Sequence, residues 1–153
     1  MKGFTLIETV LAVGVFAMLA ISGALLLFST LRGAKKTAAV IEVRNQGASV
    51  MEAMTQLLRY AKKDTTTCAG NSVAFTAVDG SSGSFSCVGD DYLASGSARL
   101  TSTKVKLVTG SCAITCPTAD SVLIKFSISP ATATLTDETA RINFESQVEL
   151  RNR

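Results

Sequence analysis

Residues 9–28 (TVLAVGVFAMLAISGALLLF) form an unbroken run without a single charge. At about 1.5 Å per residue, a helix of that length spans the roughly 30 Å hydrocarbon core of a bilayer. Leu31 extends the run before Arg32 ends it, and no proline occurs in it. In lipid the backbone must hydrogen-bond to itself, so a helix is the expected form. The remainder of a 153-residue chain leaves room for one further domain. With 47% hydrophobic and 18% charged residues, global disorder is excluded.

The run does not read as a secretory signal. Only Met1-Lys2-Gly3 precede the apolar stretch, the stretch is too long, and no small-x-small cleavage pattern follows it. One acid stands at its amino-terminal edge: Glu8, after Phe4-Thr5-Leu6-Ile7. A carboxylate at mid-membrane costs on the order of 2.5–3.5 kcal/mol and less near an end. Glu8 therefore either meets water at the interface or has a partner.

Lys2-Gly3-Phe4-Thr5-Leu6-Ile7-Glu8, running straight into an apolar helix, resembles the class III signal of type IV pilins and pseudopilins. The resemblance implies that a membrane prepilin peptidase cuts between Gly3 and Phe4 and N-methylates Phe4. It implies that Thr5 fills a small or hydroxyl position and that Glu8 is the assembly acid. In a filament, Glu8 of one subunit would pair with the Phe4 amine of its neighbour, and in low dielectric such a pair is costly to leave unmade. The motif covers the first thirty or so residues. Counting Lys and Arg alone, Lys2 against Arg32, Lys35 and Lys36, would put the carboxyl-terminal side in the cytoplasm. The resemblance implies the reverse orientation, and the cysteines agree with it.

Beyond the charges, Val40, Val43, Gly47, Val50, Met54, Leu57 and Ala61 repeat at alternating spacings of three and four. That is one apolar stripe on a helix, expected to bury itself against a sheet of the same chain. From Asp64 onward the composition turns to Thr, Ser and Gly with short apolar alternations. Strands are expected over 72–78 and 84–88, joined by a turn at 79–83, then over 104–108, 122–128 and 142–150. Alternation of Ile142, Phe144, Val148 and Leu150 with polar neighbours marks a half-buried antiparallel strand. The expected class is α+β: a long N-terminal helix, transmembrane in its first half, packed by its second half on one sheet of four or five strands. The expected segments are 1–3 leader, 4–31 membrane or filament-core helix, 32–63 amphipathic helix and 64–153 head. This pilin-like plan is also what the resemblance implies.

The head is small, and staples help a small core. Cys68, Cys87, Cys112 and Cys116 read as two disulfides in an exported domain. Three pairings are open; we favour Cys68–Cys87, tying the helix end to the first hairpin, with Cys112–Cys116 closing a short loop before Pro117. A Cys₄ zinc site is disfavoured, because the C-x₃-C lacks a second knuckle.

The chain has no histidine, the commonest general base and metal ligand. No phosphate-binding glycine loop and no nucleophile constellation is visible, so no enzyme, metal or cofactor is expected. Asp90-Asp91 reads as a solvated turn rather than a calcium loop. Lys104, Lys106 and Lys125 read as solvation of a wet sheet face, and with a net charge of +3 DNA is not an expected partner. The functional expectation is a structural subunit precursor, most simply a minor pilin, of a type IV pilus or a secretion or competence pseudopilus. Its partners would be other pilin-like subunits, the prepilin peptidase, the inner-membrane assembly platform and lipid. It would be a single-pass inner-membrane protein with its head outside the cytoplasm, then part of an extracellular or periplasmic filament. The alternative is an uncleaved, membrane-anchored surface binding module.

Overall fold

The computed structural model describes residues 5–131 and 140–151. It divides into two compact units, Met1–Ala38 and Ala39–Arg153. Helix α1, Leu6–Arg59, runs through the boundary between them. In the first unit every described residue is exposed. In the second, the helix buries Val43, Gly47, Val50, Met54 and Leu58.

These residues form a helix because good helix formers dominate the stretch and no proline interrupts it. The expected stripe is largely present, with one exchange: Leu58 is buried and Leu57 is 47% exposed. At 100° per residue the two flank the stripe centre by about 50° on either side. Periodicity cannot choose between them; the sheets pack on the Leu58 side. The helix also stops at Arg59, short of the expected Lys63. Its last turn tightens, with Tyr60 and Ala61 N–H groups on the Leu57 and Leu58 carbonyls at 3.1 Å each. The chain then pairs with the sheet: Lys62 N–H donates to Thr76 O at 2.9 Å and Val78 N–H to Tyr60 O at 3.0 Å. A single 3₁₀ turn, Lys63–Thr65, follows.

Among the described residues nine strands build two antiparallel sheets rather than the single sheet expected. The first is a meander of β1 (Thr67–Ala69), β2 (Ser72–Thr76), β3 (Ser82–Val88), β4 (Tyr92–Ser95) and β5 (Ala98–Arg99). The second centres on β8 (Ser121–Pro130), which pairs along one edge with β6 (Val105–Leu107) and β7 (Ala113–Thr118), and with β9 (Ile142–Glu149). The expected strands over 72–78, 84–88, 104–108, 122–128 and 142–150 correspond to β2, β3, β6, β8 and β9. Strands β1, β4, β5 and β7 were not expected: the first three are only two to four residues long, and β7 contains Pro117. Val73, Phe75, Phe85 and Leu93 from the first sheet join Ile114, Ile124, Phe126 and Ile128 from the second and Met54 and Leu58 from the helix in one core.

The disulfides depart from the favoured pairing. Cys68 bonds Cys116 and Cys87 bonds Cys112, with Cα separations of 5.8 and 6.2 Å. Both link the first sheet to the β7 region of the second. Residues 113–115, expected as a loop before a turn at Pro117, instead open strand β7, which has a bulge between Thr115 and Thr118. Pro117 sits in that bulge on an edge strand, where its missing N–H costs no ladder bond. With Cys116 held in a strand, it faces across to β1 rather than back to Cys112.

Two glycines answer to packing. A Cβ on Gly47 would run into the ring of Phe144, and one on Gly83 would lie 2.7 Å from Phe75 Cζ. Each lets an aromatic ring lie directly on backbone.

Candidate functional site

The most unusual surface of the protein is the helix of the first unit. Fifteen large apolar side chains between Leu6 and Leu31 are exposed, from 51% at Val15 to 82% at Leu6. Contiguous apolar surface on that scale marks a contact with membrane or protein. Among the described residues, α1 is the one helix long and apolar enough to cross a membrane. Its polar side chains suit such a setting. Thr9 Oγ1 donates to Leu6 O at 2.8 Å, Ser22 Oγ to Met18 O at 2.8 Å and Thr30 Oγ1 to Leu27 O at 2.9 Å. Each hydroxyl thus satisfies its donor within the helix, as lipid requires.

Gly3 and Phe4, the expected cleavage and methylation residues, lie outside the described residues. Thr5 stands just before the helix, and its carbonyl accepts the N–H groups of Glu8 at 3.1 Å and Thr9 at 3.3 Å. Glu8 is exposed in the first turn. There a carboxylate gains roughly 0.3–1 kcal/mol from the helix dipole, apart from any other role. Thr5 and Glu8 therefore stand within one turn of each other at the amino-terminal end of the apolar surface.

Gly14, Gly23 and Gly33 have nothing within 4 Å of where a Cβ would stand. Unlike Gly47 and Gly83, they answer to no packing within the described residues, although each costs about 1 kcal/mol of helix propensity against alanine. The clue to them in the sequence is that cost; what it lacks is the knowledge that no neighbour among the described residues repays it.

The remaining candidates serve the head. Asp90 Oδ1 accepts the Gly110 N–H at 3.1 Å, and the Asp91 carbonyl accepts the Leu107 N–H at 3.1 Å. Asp91 also pairs with Arg99 at 3.5 Å, and Arg99 lies over the Tyr92 ring at 4.7 Å. The two aspartates thus tie the β3–β4 turn to β6 and the turn after it. Among the described residues no group of three metal-ligating side chains is brought together. Lys125 pairs with Glu145 at 2.9 Å, so the three lysines do not act as one free basic patch. All four cysteines are consumed in disulfides. No known protein family, characterised protein or solved structure matches this chain.

Proposed function

We propose that this chain is the precursor of a structural subunit, most simply a minor pilin, of a type IV pilus or a related secretion or competence pseudopilus. The observation that carries the reading is the Lys2–Glu8 motif abutting a helix whose apolar side chains are exposed all round. A helix that is apolar on every side is stable only inside lipid or among other helices. A subunit that moves from membrane to filament needs both settings. Gly14, Gly23 and Gly33, which have no neighbour among the described residues, fit the second, since small residues let helices approach closely. The two disulfides fit an oxidising compartment for the domain that carries them.

In this reading the peptidase removes residues 1–3 and leaves Phe4 as the methylated terminus. Glu8 then pairs with the Phe4 amine of a neighbour, setting the subunit register. The partners are other pilin-like subunits, the prepilin peptidase, the assembly platform in the inner membrane and lipid. The role is assembly rather than catalysis.

Intact mass and amino-terminal sequencing of protein extracted from its native membrane test the reading. The expected chain begins at N-methyl-phenylalanine, with Met1–Gly3 gone. A chain still beginning at Met1 in cells with active peptidase would overturn it in favour of a permanently anchored binding module. Glu8→Ala is expected to be cleaved normally and to enter sheared filaments at a much reduced level. Normal incorporation of that variant would remove the register role.

A further inference from the structure

The apolar surface of α1 ends in a cluster of cations. Arg32, Lys35 and Lys36 follow Leu31 closely, and all three are exposed. They belong to the first unit, which ends at Ala38. From Arg32 to Lys36 the helix rises only about 6 Å. At 100° per residue, Lys35 and Lys36 stand about 60° and 40° to either side of Arg32. The three cations therefore share less than a third of the helix circumference. In the sequence no acid stands between Glu8 and Glu42.

This clustering is unfavourable for the helix itself. Arg32 stands three residues before Lys35 and four before Lys36, the spacings at which like charges destabilise a helix. An apolar strip leads up to the same side. By the same 100° step, Ile21, Leu25 and Phe28 lie within about 40° of the Arg32 direction. All three are exposed by more than 60%. Lys and Arg lay their stems on apolar surface and reach with their charged ends for the polar layer. In a bilayer that takes up the apolar surface of α1, these three ends meet the headgroups together, within about one Debye length.

We propose that Arg32, Lys35 and Lys36 form a site for anionic phospholipid headgroups, phosphodiesters without a compensating amine. A zwitterionic headgroup brings its own cation, which these three repel. A net-anionic headgroup offsets the like-charge pairs, and the Arg32 guanidinium suits phosphate oxygens as a bidentate donor. The acyl chains of the same lipid lie along Phe28, Leu25 and Ile21, so that one molecule covers the strip and the cluster. Held there, it fixes the depth and the facing of the helix in the bilayer. The proposal rests on the reading that α1 enters a membrane, and it holds for either leaflet.

The test uses the full chain reconstituted into phosphatidylcholine vesicles. Trace spin-labelled phosphatidylglycerol or spin-labelled phosphatidylcholine is added, and electron spin resonance gives the fraction of each slowed at the protein surface. Phosphatidylglycerol is expected to associate at least about threefold more strongly, the ratio falling towards one in about 0.5 M salt. Arg32→Gln with Lys35→Gln and Lys36→Gln is expected to remove the preference. Arg44→Gln with Lys104→Gln and Lys106→Gln takes as much charge from exposed positions of the second unit and is expected to keep it. No preference in the parent, a preference that salt leaves intact, or equal loss in both triple variants would overturn the proposal. Should the first variant fail to enter vesicles, the salt dependence of the parent decides. A parent that slows both lipids equally leaves the membrane reading standing. One that slows neither and does not float with the vesicles overturns that reading as well.

Discussion

Ser111 shows how much one hydroxyl can carry. Strands β6 and β7 share one edge of β8, and the ladder breaks between them. In the gap Ser127 is buried, and its N–H donates to Ser111 Oγ at 3.1 Å. Ser111 Oγ in turn donates to Val108 O at 2.6 Å. Ser111→Ala leaves the Ser127 N–H orphaned, and about 1–3 kcal/mol of unfolding free energy should be lost in urea titration. A variant as stable as the parent would show that water replaces the hydroxyl. Nothing in the sequence singles out Ser111. Asp79 is the opposite case, legible from its turn motif. Its Oδ1 accepts the Ser81 hydroxyl at 2.6 Å and the Ser81 N–H at 2.9 Å. Hydrogen bonds from Ser81, the side chain's first, hold its pKa below the ordinary aspartate value. Its contribution is therefore present above the unfolded pKa and lost as pH falls through the lower folded one. Ser81→Ala should raise the Asp79 titration midpoint by NMR, and an unmoved midpoint would refute the cause.

Within a single helix, glycine has two meanings. Gly47 faces the Phe144 ring, so a methyl there must displace it. Overpacking costs about 1–3 kcal/mol, and the gain in helix propensity is about 1 kcal/mol. Gly47→Ala should therefore be net destabilising, by up to about 2 kcal/mol in thermal or urea unfolding. A stabilised variant would mean the ring moves aside freely. The apolar stripe was legible as an element because its period is local; the choice of Leu58 over Leu57 was not, because both lie near the stripe's edge. Strands β2, β3, β6, β8 and β9 announced themselves by alternation or by a flanking turn. Strand β7 did not, because Cys116-Pro117 reads as a loop until a bulge is known to absorb it.

For the whole head, the two disulfides decide how the sheets are joined. They are nested, Cys87–Cys112 within Cys68–Cys116, with separations of 25 and 48 residues, and both run from the first sheet to the β7 region. By chain entropy, loops of that length contribute roughly 3.5 and 4 kcal/mol when closed singly. Total stabilities are about 5–15 kcal/mol, so the pair is a large share. Cys68→Ser with Cys116→Ser should lower the midpoint of head unfolding markedly, while the far-ultraviolet signal of the apolar helix persists in micelles. An unchanged midpoint would mean that Cys87–Cys112 and the shared core join the sheets without help from Cys68–Cys116. A parent protein digested without reduction should yield the two nested cross-linked peptides; a Cys68–Cys87 peptide would contradict the structure.

Sequence alone determined the apolar span, the amphipathic stripe behind it, the α+β class and the long strands, because each rests on a period or a composition that neighbours in the chain carry among themselves. The tertiary structure alone decided that the strands divide into two sheets, which cysteines meet and which glycines lie against an aromatic ring. Those outcomes depend on residues brought together from distant points of the chain, and no local pattern encodes the distance between them.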